Sequence, residues 1–403
     1  MSHPHPELGS PPPLAKGGLR VVPLVYLALF VSELSWQGVA PLIPSYIEAY
    51  HLSDASGGWV LSLASLGILV ASLPAGYLTK HVPPRPLTII AMATIALSDV
   101  LMVLAPGYET IVLARLVFGL GFGVMWVSMA AWLADAAGDD SPRVLASTTA
   151  VVGVGALLGP GYAGFVAERF GLAAPFIGLA AVTLVLLLML VLDSSGTGMT
   201  KDPAPPLREL WSSIGLDADL RTMILLTLAA SMVWLTADLL VPLRMGNAGF
   251  DAAQIGVVFS LSSLVFVASS ALTARAADRL TRHSVVAVAT ALLAAFCAIP
   301  ALLLGVPASL VFLVGASITT GVTISLTFPF GLLAVARGHV TVPVMSALSN
   351  IIWALSGMVG PFMGGTFAEW AGDRAAFGVL VIVCLVVAVV VARSREPAAP
   401  ATT

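Results

Sequence analysis

Residues 159–176 read GPGYAGFVAERFGLAAPF, and residues 360–377 read GPFMGGTFAEWAGDRAAF. Gly159-Pro160, Gly164, Ala167-Glu168, Gly171, Ala174 and Phe176 of the first stretch recur in the second as Gly360-Pro361, Gly365, Ala368-Glu369, Gly372, Ala375 and Phe377. The offset is 201 residues at every position, and Pro41-Leu42 and Pro242-Leu243 obey it too. Chance does not place this many identities in one register, so the chain consists of two halves of one design. Parallel repeats of apolar helices enclose a site at their mutual interface, near the bilayer midplane.

The composition says what the halves are made of. Hydrophobic residues are 58% of the 403, charged residues only 10%, and the mean hydropathy is +1.00. An ordinary soluble protein carries roughly 25% charged residues, and a surface this poor in charge cannot face water all round. The chain is therefore read as an integral membrane protein, which excludes soluble enzymes, nucleic-acid binders and disordered scaffolds. The apolar content suffices for about twelve spans of about twenty residues. A net charge of −3 points to no polyanion, and so to no nucleic-acid partner. Cys297 and Cys384 both lie in apolar runs, which fits neither a disulfide framework nor a metal site.

Apolar windows place spans at 20–45, 56–79, 86–105, 110–134, 145–167, 172–192, 221–244, 253–275, 284–304, 308–335, 341–367 and 374–392. The expected organisation is a disordered, proline-rich segment 1–19, a six-helix half 20–192, a polar linker 193–220, a second six-helix half 221–392, and a tail 393–403. The first apolar run is too long for a cleaved signal peptide. Within the linker, 207–219 is expected to form a short amphipathic helix on the membrane surface. Fourteen of the eighteen basic residues fall on the side of the termini, and Arg169, Arg244 and Arg374 fall on the other. By the positive-inside rule both termini are cytoplasmic.

A charge in hydrocarbon is costly and therefore needs a reason. Four are deep: Glu33 in span 1, Asp99 in span 3, Arg115 in span 4 and Asp238 in span 7. Three acids against one base require bound protons or a bound cation for neutrality. Glu33 has Gln37 one turn on, and an acid that meets solvent from each side in turn can load and release a proton. The competing roles for Glu33 are a static ion pair with Arg115 and a protonated acid that merely bonds a backbone carbonyl. Asp238 corresponds to Gln37 at the repeat offset, with Pro242 one turn later. It reads as a proton or substrate-cation site, or else as a hydrogen bond between the halves. Arg115 keeps its charge and reads as a partner that tunes an acid. Asp99 matches its depth and reads as either a structural partner of Arg115 or a proton-coupling group.

Arg115, Gly119, Phe122 and Trp126 share one helical face, expected to line a cavity. With Trp36, Trp234, Phe330 and Trp353 they would make aromatic walls suited to lipophilic cations, the bland alternative being packing. Trp59, Trp132 and Trp370 lie near span ends and read as interfacial anchors. Asn350, Thr320, Thr323 and Thr327 read as polar contacts or as interhelical hydrogen bonds. Gly155, Gly159, Gly164, Gly360 and Gly364 allow close helix approach, and Pro160 and Pro361 let spans 5 and 11 bend. Asp135 reads either as a latch on one face, pairing with Lys80 or Arg85, or as a solvated loop charge.

Three motifs carry a family resemblance: Arg115-x-x-x-Gly119-x-Gly121 in span 4, Gly155-x-x-x-Gly159-Pro160-x-x-Ala163-Gly164 in span 5, and Gly76-Tyr77-Leu78-Thr79-Lys80-His81-Val82-Pro83-Pro84-Arg85 between spans 2 and 3. The chain resembles the major facilitator superfamily over essentially its whole length, and within it the twelve-span drug–proton antiporters. In the loop, the family's Asp and Gly are replaced by Lys80 and Pro83, whereas the second-half counterpart Ala277-Asp278-Arg279-x-x-Arg282 keeps its acid. The resemblance implies an all-α membrane protein, with twelve transmembrane helices in two pseudo-symmetric six-helix halves. It also implies a monomeric exporter, driven by protons with no other cofactor, that takes small amphipathic or cationic molecules across a lipid bilayer. A proton-coupled importer and a non-transporting membrane receptor are the alternatives. No phosphate-binding loop, Gly-x-Ser-x-Gly or His-Glu-x-x-His occurs, so the sequence presents no enzyme or ATP-driven pump. The scarcity of lysine, three of eighteen basic residues, is a hint of a bacterial inner membrane.

Overall fold

The computed structural model describes residues 18–79, 81–193 and 217–394. The segment 1–17, Lys80, residues 194–216 with most of the expected amphipathic stretch, and the tail from 395 lie outside the described residues. Among those described every regular element is a helix, as hydrocarbon demands of a chain that must satisfy its backbone internally. Twelve segments are long and apolar enough to span a membrane. Spans 2 to 6 are Asp54–Leu78, Pro84–Leu104, Tyr108–Ala137, Ser141–Phe170 and Ala174–Leu192. Spans 7 to 12 are Ala218–Asn247, Ala252–Arg275, His283–Leu302, Val306–Ala336, Val342–Ala371 and Asp373–Arg393.

Span 1 differs from expectation. It is a helix Gly18–Gln37, a 3-10 turn Ala40–Leu42 and a second helix Ile43–Tyr50, not one rod. Pro41 and Pro44 each remove a backbone donor within four residues, and one helix does not survive both.

With twelve crossings, the described chain ends, Gly18 and Ser394, lie on one face, here the terminus face; the other is the distal face. The buried apolar residues form two clusters. One is drawn mainly from residues 21–190 and the other from residues 220–391. Large apolar side chains elsewhere point outward, as along span 6 at Ile177, Val182, Leu184, Val185 and Leu188. That is the surface lipid covers.

The quoted repeat is a seam and a stop. Gly171 and Gly372 end spans 5 and 11 with φ of 95° and 82°, a backbone conformation that L side chains rarely adopt. Phe176 and Phe377 then anchor spans 6 and 12 in their respective cores. Before the stop, the glycines bring backbone against backbone across the two halves. A Cβ on Gly58 of span 2 would sit 2.5 Å from the Pro361 carbonyl oxygen of span 11. The mirrored contact sets Gly256 of span 8 against the Pro160 carbonyl of span 5. These backbone approaches lie toward the distal face, which is closed.

Candidate functional site

The site begins where span 1 stops being a helix. Glu33 and Gln37 lie one turn apart, and span 5 lays Gly155 and Gly159 directly on them. A Cβ on Gly155 would meet the Glu33 Cβ at 2.6 Å, and one on Gly159 the Gln37 Cβ at 2.9 Å. Glu33 is 4% exposed, and no hydrogen bond or ion pair to another described residue reaches its carboxylate. Across the boundary, span 7 offers Asp238. Pro242 has no N–H for the Asp238 carbonyl, just as Pro41 has none for that of Gln37, so both polar positions carry a freed backbone acceptor.

Gln37 and Asp238 together line two small spaces between the halves. One, of about 20 Å³, is completed by Trp234, Pro160, Phe259, Ser262 and Thr320 among others. The other, of about 10 Å³, is completed by Trp36, Arg115, Ser65, Gly357 and Pro361 among others. Each has room for about one water, so the midplane is closed around its polar groups.

Neither ion pair considered for Arg115 forms. Its guanidinium lies 4.7 Å from the Phe118 ring and 5.7 Å from that of Trp36. The aromatic faces attract a planar cation that is 1% exposed. Phe122 stacks on Trp36 at 5.7 Å, and Trp126 meets the edge of Phe122. Asp99 turns away into the first half, accepting from Ser35 Oγ at 2.7 Å and Thr183 Oγ1 at 3.5 Å. It ties spans 1, 3 and 6 and lines neither midplane space. Gly119 also leaves the expected lining face: it packs on the Ala64 carbonyl of span 2.

A larger cavity of about 160 Å³ opens toward the terminus face, lined by Met223, Thr327, Phe328, Met345, Ser346, Ser349 and Asn350. Trp353 is half-buried further along span 11. Phe330, expected on a cavity wall, is instead in the second core, edge-on to His283 at 5.1 Å. Trp132, expected as an interfacial anchor, is wholly buried in the first core. Trp59 and Trp370 are exposed, Trp59 against Phe362. Thr320, Thr323 and Thr327 bond carbonyls of their own helix rather than a neighbour's. Arg85 does not latch to Asp135. Its Nη2 donates to the Leu190 and Val191 carbonyls at 3.3 and 2.9 Å, where a cation neutralises the end of span 6. Asp135, Asp278 and Arg279 are exposed. Gly360 and Gly364 pack on Thr236 of span 7.

Sequence reading missed Ser65, Ser262, Ser263 and Ser317, which line the midplane spaces or bond beside them. Small hydroxyls in apolar runs have a weak signal. It also missed an ion network on the terminus face of the second half. Asp217 caps span 7 by accepting from the Asp219 and Leu220 amides at 2.7 and 3.2 Å. It also accepts from Arg337 at 2.8 Å and pairs with His339 at 2.7 Å. Arg337 bonds Asp219 as well, whose other oxygen lies 3.2 Å from His283 Nε2. Burial pushes the Asp217 carboxyl up, but His339, Arg337 and the two amides outweigh it and bring its pKa down to about 2. Arg244, counted among the three basic residues on the side away from the termini, is buried: it pairs with Asp373, donates to the Pro300 carbonyl at 2.7 Å and lies over Phe377.

Comparison with known proteins bears on this geometry. The sequence profile of the Major Facilitator Superfamily matches residues 25–340 and 223–403. The MFS-type transporter SLC18B1 of Mus musculus is 26% identical over 362 residues, 84% of this chain and 78% of its own. The 3-(3-hydroxy-phenyl)propionate transporter of Escherichia coli (strain K12) is 26% identical over 60% of this chain and 61% of its own. Multidrug resistance protein 2 of Bacillus subtilis (strain 168) is 23% identical over 39% of each. Among solved structures, a bacterial homolog of the human lysosomal transporter Spinster, inward-facing and occupied, superposes with a TM-score of 0.78 at 13% identity, over 95% of this chain and 99% of that one. That likeness is one of fold.

Proposed function

The chain belongs to the major facilitator superfamily, whose members are multi-pass membrane transporters of small molecules, and on that premise we propose a proton-coupled exporter of small amphipathic or cationic compounds working by alternating access. The observation that carries the reading is that Gln37 and Asp238, from opposite halves, line the same two closed midplane spaces, beside Trp36, Trp234 and Arg115. Aromatic faces and a carboxylate are what a lipophilic cation needs. Glu33, seated on Gly155 with no partner among the described residues, is the group free to exchange a proton with that path. The basic residues favour a cytoplasmic terminus face. With the distal face sealed, the midplane closed and a cavity within the second half opening at the other face, this is then a state closed to the outside, of a monomer in a bacterial inner membrane. The multidrug resistance relative supports export.

A second reading, a proton-coupled importer, is favoured by one observation: the Escherichia coli relative is a 3-(3-hydroxy-phenyl)propionate transporter. The same assay separates the two. Purified protein in liposomes with an internal pH dye receives lipophilic cations and neutral aromatic compounds across a preset pH gradient. Export in exchange for protons predicts substrate-triggered proton movement opposite to substrate, lost in Glu33→Gln. Proton movement along with substrate supports import. Wild-type coupling in Glu33→Gln removes Glu33 from the path.

A further inference from the structure

The distal seam is built from one repeat, yet the helices that start there are capped in two ways. Span 8 caps itself: Asp251 accepts from the Gln254 amide at 2.7 Å, and the Gln254 side chain accepts from the Asp251 amide at 3.1 Å. Span 2 does not. Its preceding residue, Ser53, makes no side-chain cap bond. Instead the Ala55 amide in its first turn donates to Glu369 Oε2 of span 11, 3.3 Å away in the other half. Gly365, one turn before Glu369, is what allows the approach, since a Cβ there would lie 2.6 Å from the Asp54 carbonyl oxygen. Glu168 holds the Glu369 position in the first half, but the helix start it corresponds to is already filled by Asp251 and Gln254.

A carboxylate at unpaired first-turn amides is stabilising. A cap supplied from another rigid body exists only while the two bodies touch. We propose that Glu369 is a state-dependent cap of span 2, made when the distal face is closed and lost when it opens, so that it biases the transporter toward the conformation open on the terminus face. This rests on the alternating-access reading above. Glu369 acts on the gate and touches no substrate. Asp54, in the same first turn, repels the Glu369 charge, so the bond is weak enough to break in every cycle. The self-made cap of span 8 persists in both states and biases neither.

The test places spin labels at Glu109→Cys and Leu304→Cys, distal positions in opposite halves, in protein held in lipid nanodiscs; the native Cys297 and Cys384 are buried. The readout is the ratio of long to short distances. Glu369→Ala is expected to raise that ratio about fivefold, the factor a typical helix cap sets. Glu369→Gln, which keeps the acceptor oxygen without the charge, is expected to fall between. Asp251→Ala is expected to lower the melting temperature and leave the ratio alone. A wild-type ratio in Glu369→Ala, with both distances populated and liposome transport intact, overturns the cap but not the transport reading. The same rise in Asp251→Ala also overturns it. A single distance in every protein, with no transport, overturns both.

Discussion

Span 1 leaves helical geometry after Gln37, whereas span 7 runs unbroken for 30 residues, from Ala218 to Asn247. The two sit at equivalent places in the repeat, and both carry a proline four residues after the midplane polar group, Pro41 after Gln37 and Pro242 after Asp238. The rest of the neighbourhood differs. Span 1 adds Pro44 and Gly38 where span 7 has Met245 and Leu239. One missing donor is absorbed by a helix clamped on all sides; two, with a glycine between helix and turn, are not. The chemistry diverges likewise. Glu33 stands where span 7 has Trp234, and Gly155 stands where span 11 has Ser356. Duplication kept the glycine–proline seams, on which closure depends, and let the polar groups beside them go separate ways. One half holds an acid wedged against glycine; the other holds an acid in the cavity between a tryptophan and the boundary.

The largest expected consequence concerns the two acids. If Asp238 is the cation contact and Glu33 the proton carrier, Asp238→Asn raises the substrate concentration for half-maximal transport by about 10- to 100-fold, the weight of one charge-assisted contact. Proton exchange in the absence of substrate survives in that variant and is lost in Glu33→Gln. Flux assays on both variants check this, and identical phenotypes would break the division of labour.

Next comes the packing asymmetry. Gly155→Ala forces a Cβ onto Glu33 and is expected to cost about 1–3 kcal/mol, read as a fall in melting temperature in detergent. Ser356→Ala at the equivalent position is expected to be neutral or slightly stabilising. The Ser356 hydroxyl is buried without a hydrogen-bond partner among the described residues, so removing it sacrifices nothing. Equal losses in the two variants would mean that the halves are packed alike after all.

The smallest effect is on acidification. Asp217 titrates near pH 2 in the folded protein, below its ordinary 3.8. Its contribution is therefore complete above about pH 4 and is lost as pH falls from there toward 2. The first half has no counterpart network among its described residues. The melting temperature of wild type is expected to drop more steeply below about pH 4 than that of Asp217→Asn, and parallel curves would show that the network does not hold span 7 in place.

Much of this was readable in advance, for identifiable reasons. Span boundaries fall within five residues of expectation, because a bilayer imposes one length on every apolar helix. Glu33, Gln37 and Asp238 stood out because a polar group in hydrocarbon needs a purpose. Trp132 and Phe330 lie elsewhere than their sequence suggests because depth in a span says nothing about which way a ring points. For Arg115 the sequence shows the charges that a carboxylate partner would supply, but not that the rings of Trp36 and Phe118 lie over its guanidinium. The network of Arg337, His283 and Asp217 has no sequence signal, because charges at span ends are usually solvated and 120 residues separate Asp217 from Arg337.

Sequence alone is enough for the twelve membrane-spanning helices, their duplication, and which polar groups lie at mid-depth. Each of these follows from local rules: apolar length, a repeated register and the cost of charge in hydrocarbon. Packing in three dimensions is what lays Gly155 on Glu33, gives Gln37 and Asp238 a shared lining, turns Asp99 inward to Ser35 and brings Glu369 to the start of span 2. Those are pairings between helices far apart in the chain, and the rotation of each helix about its own axis, which decides them, is set by the neighbours it packs against.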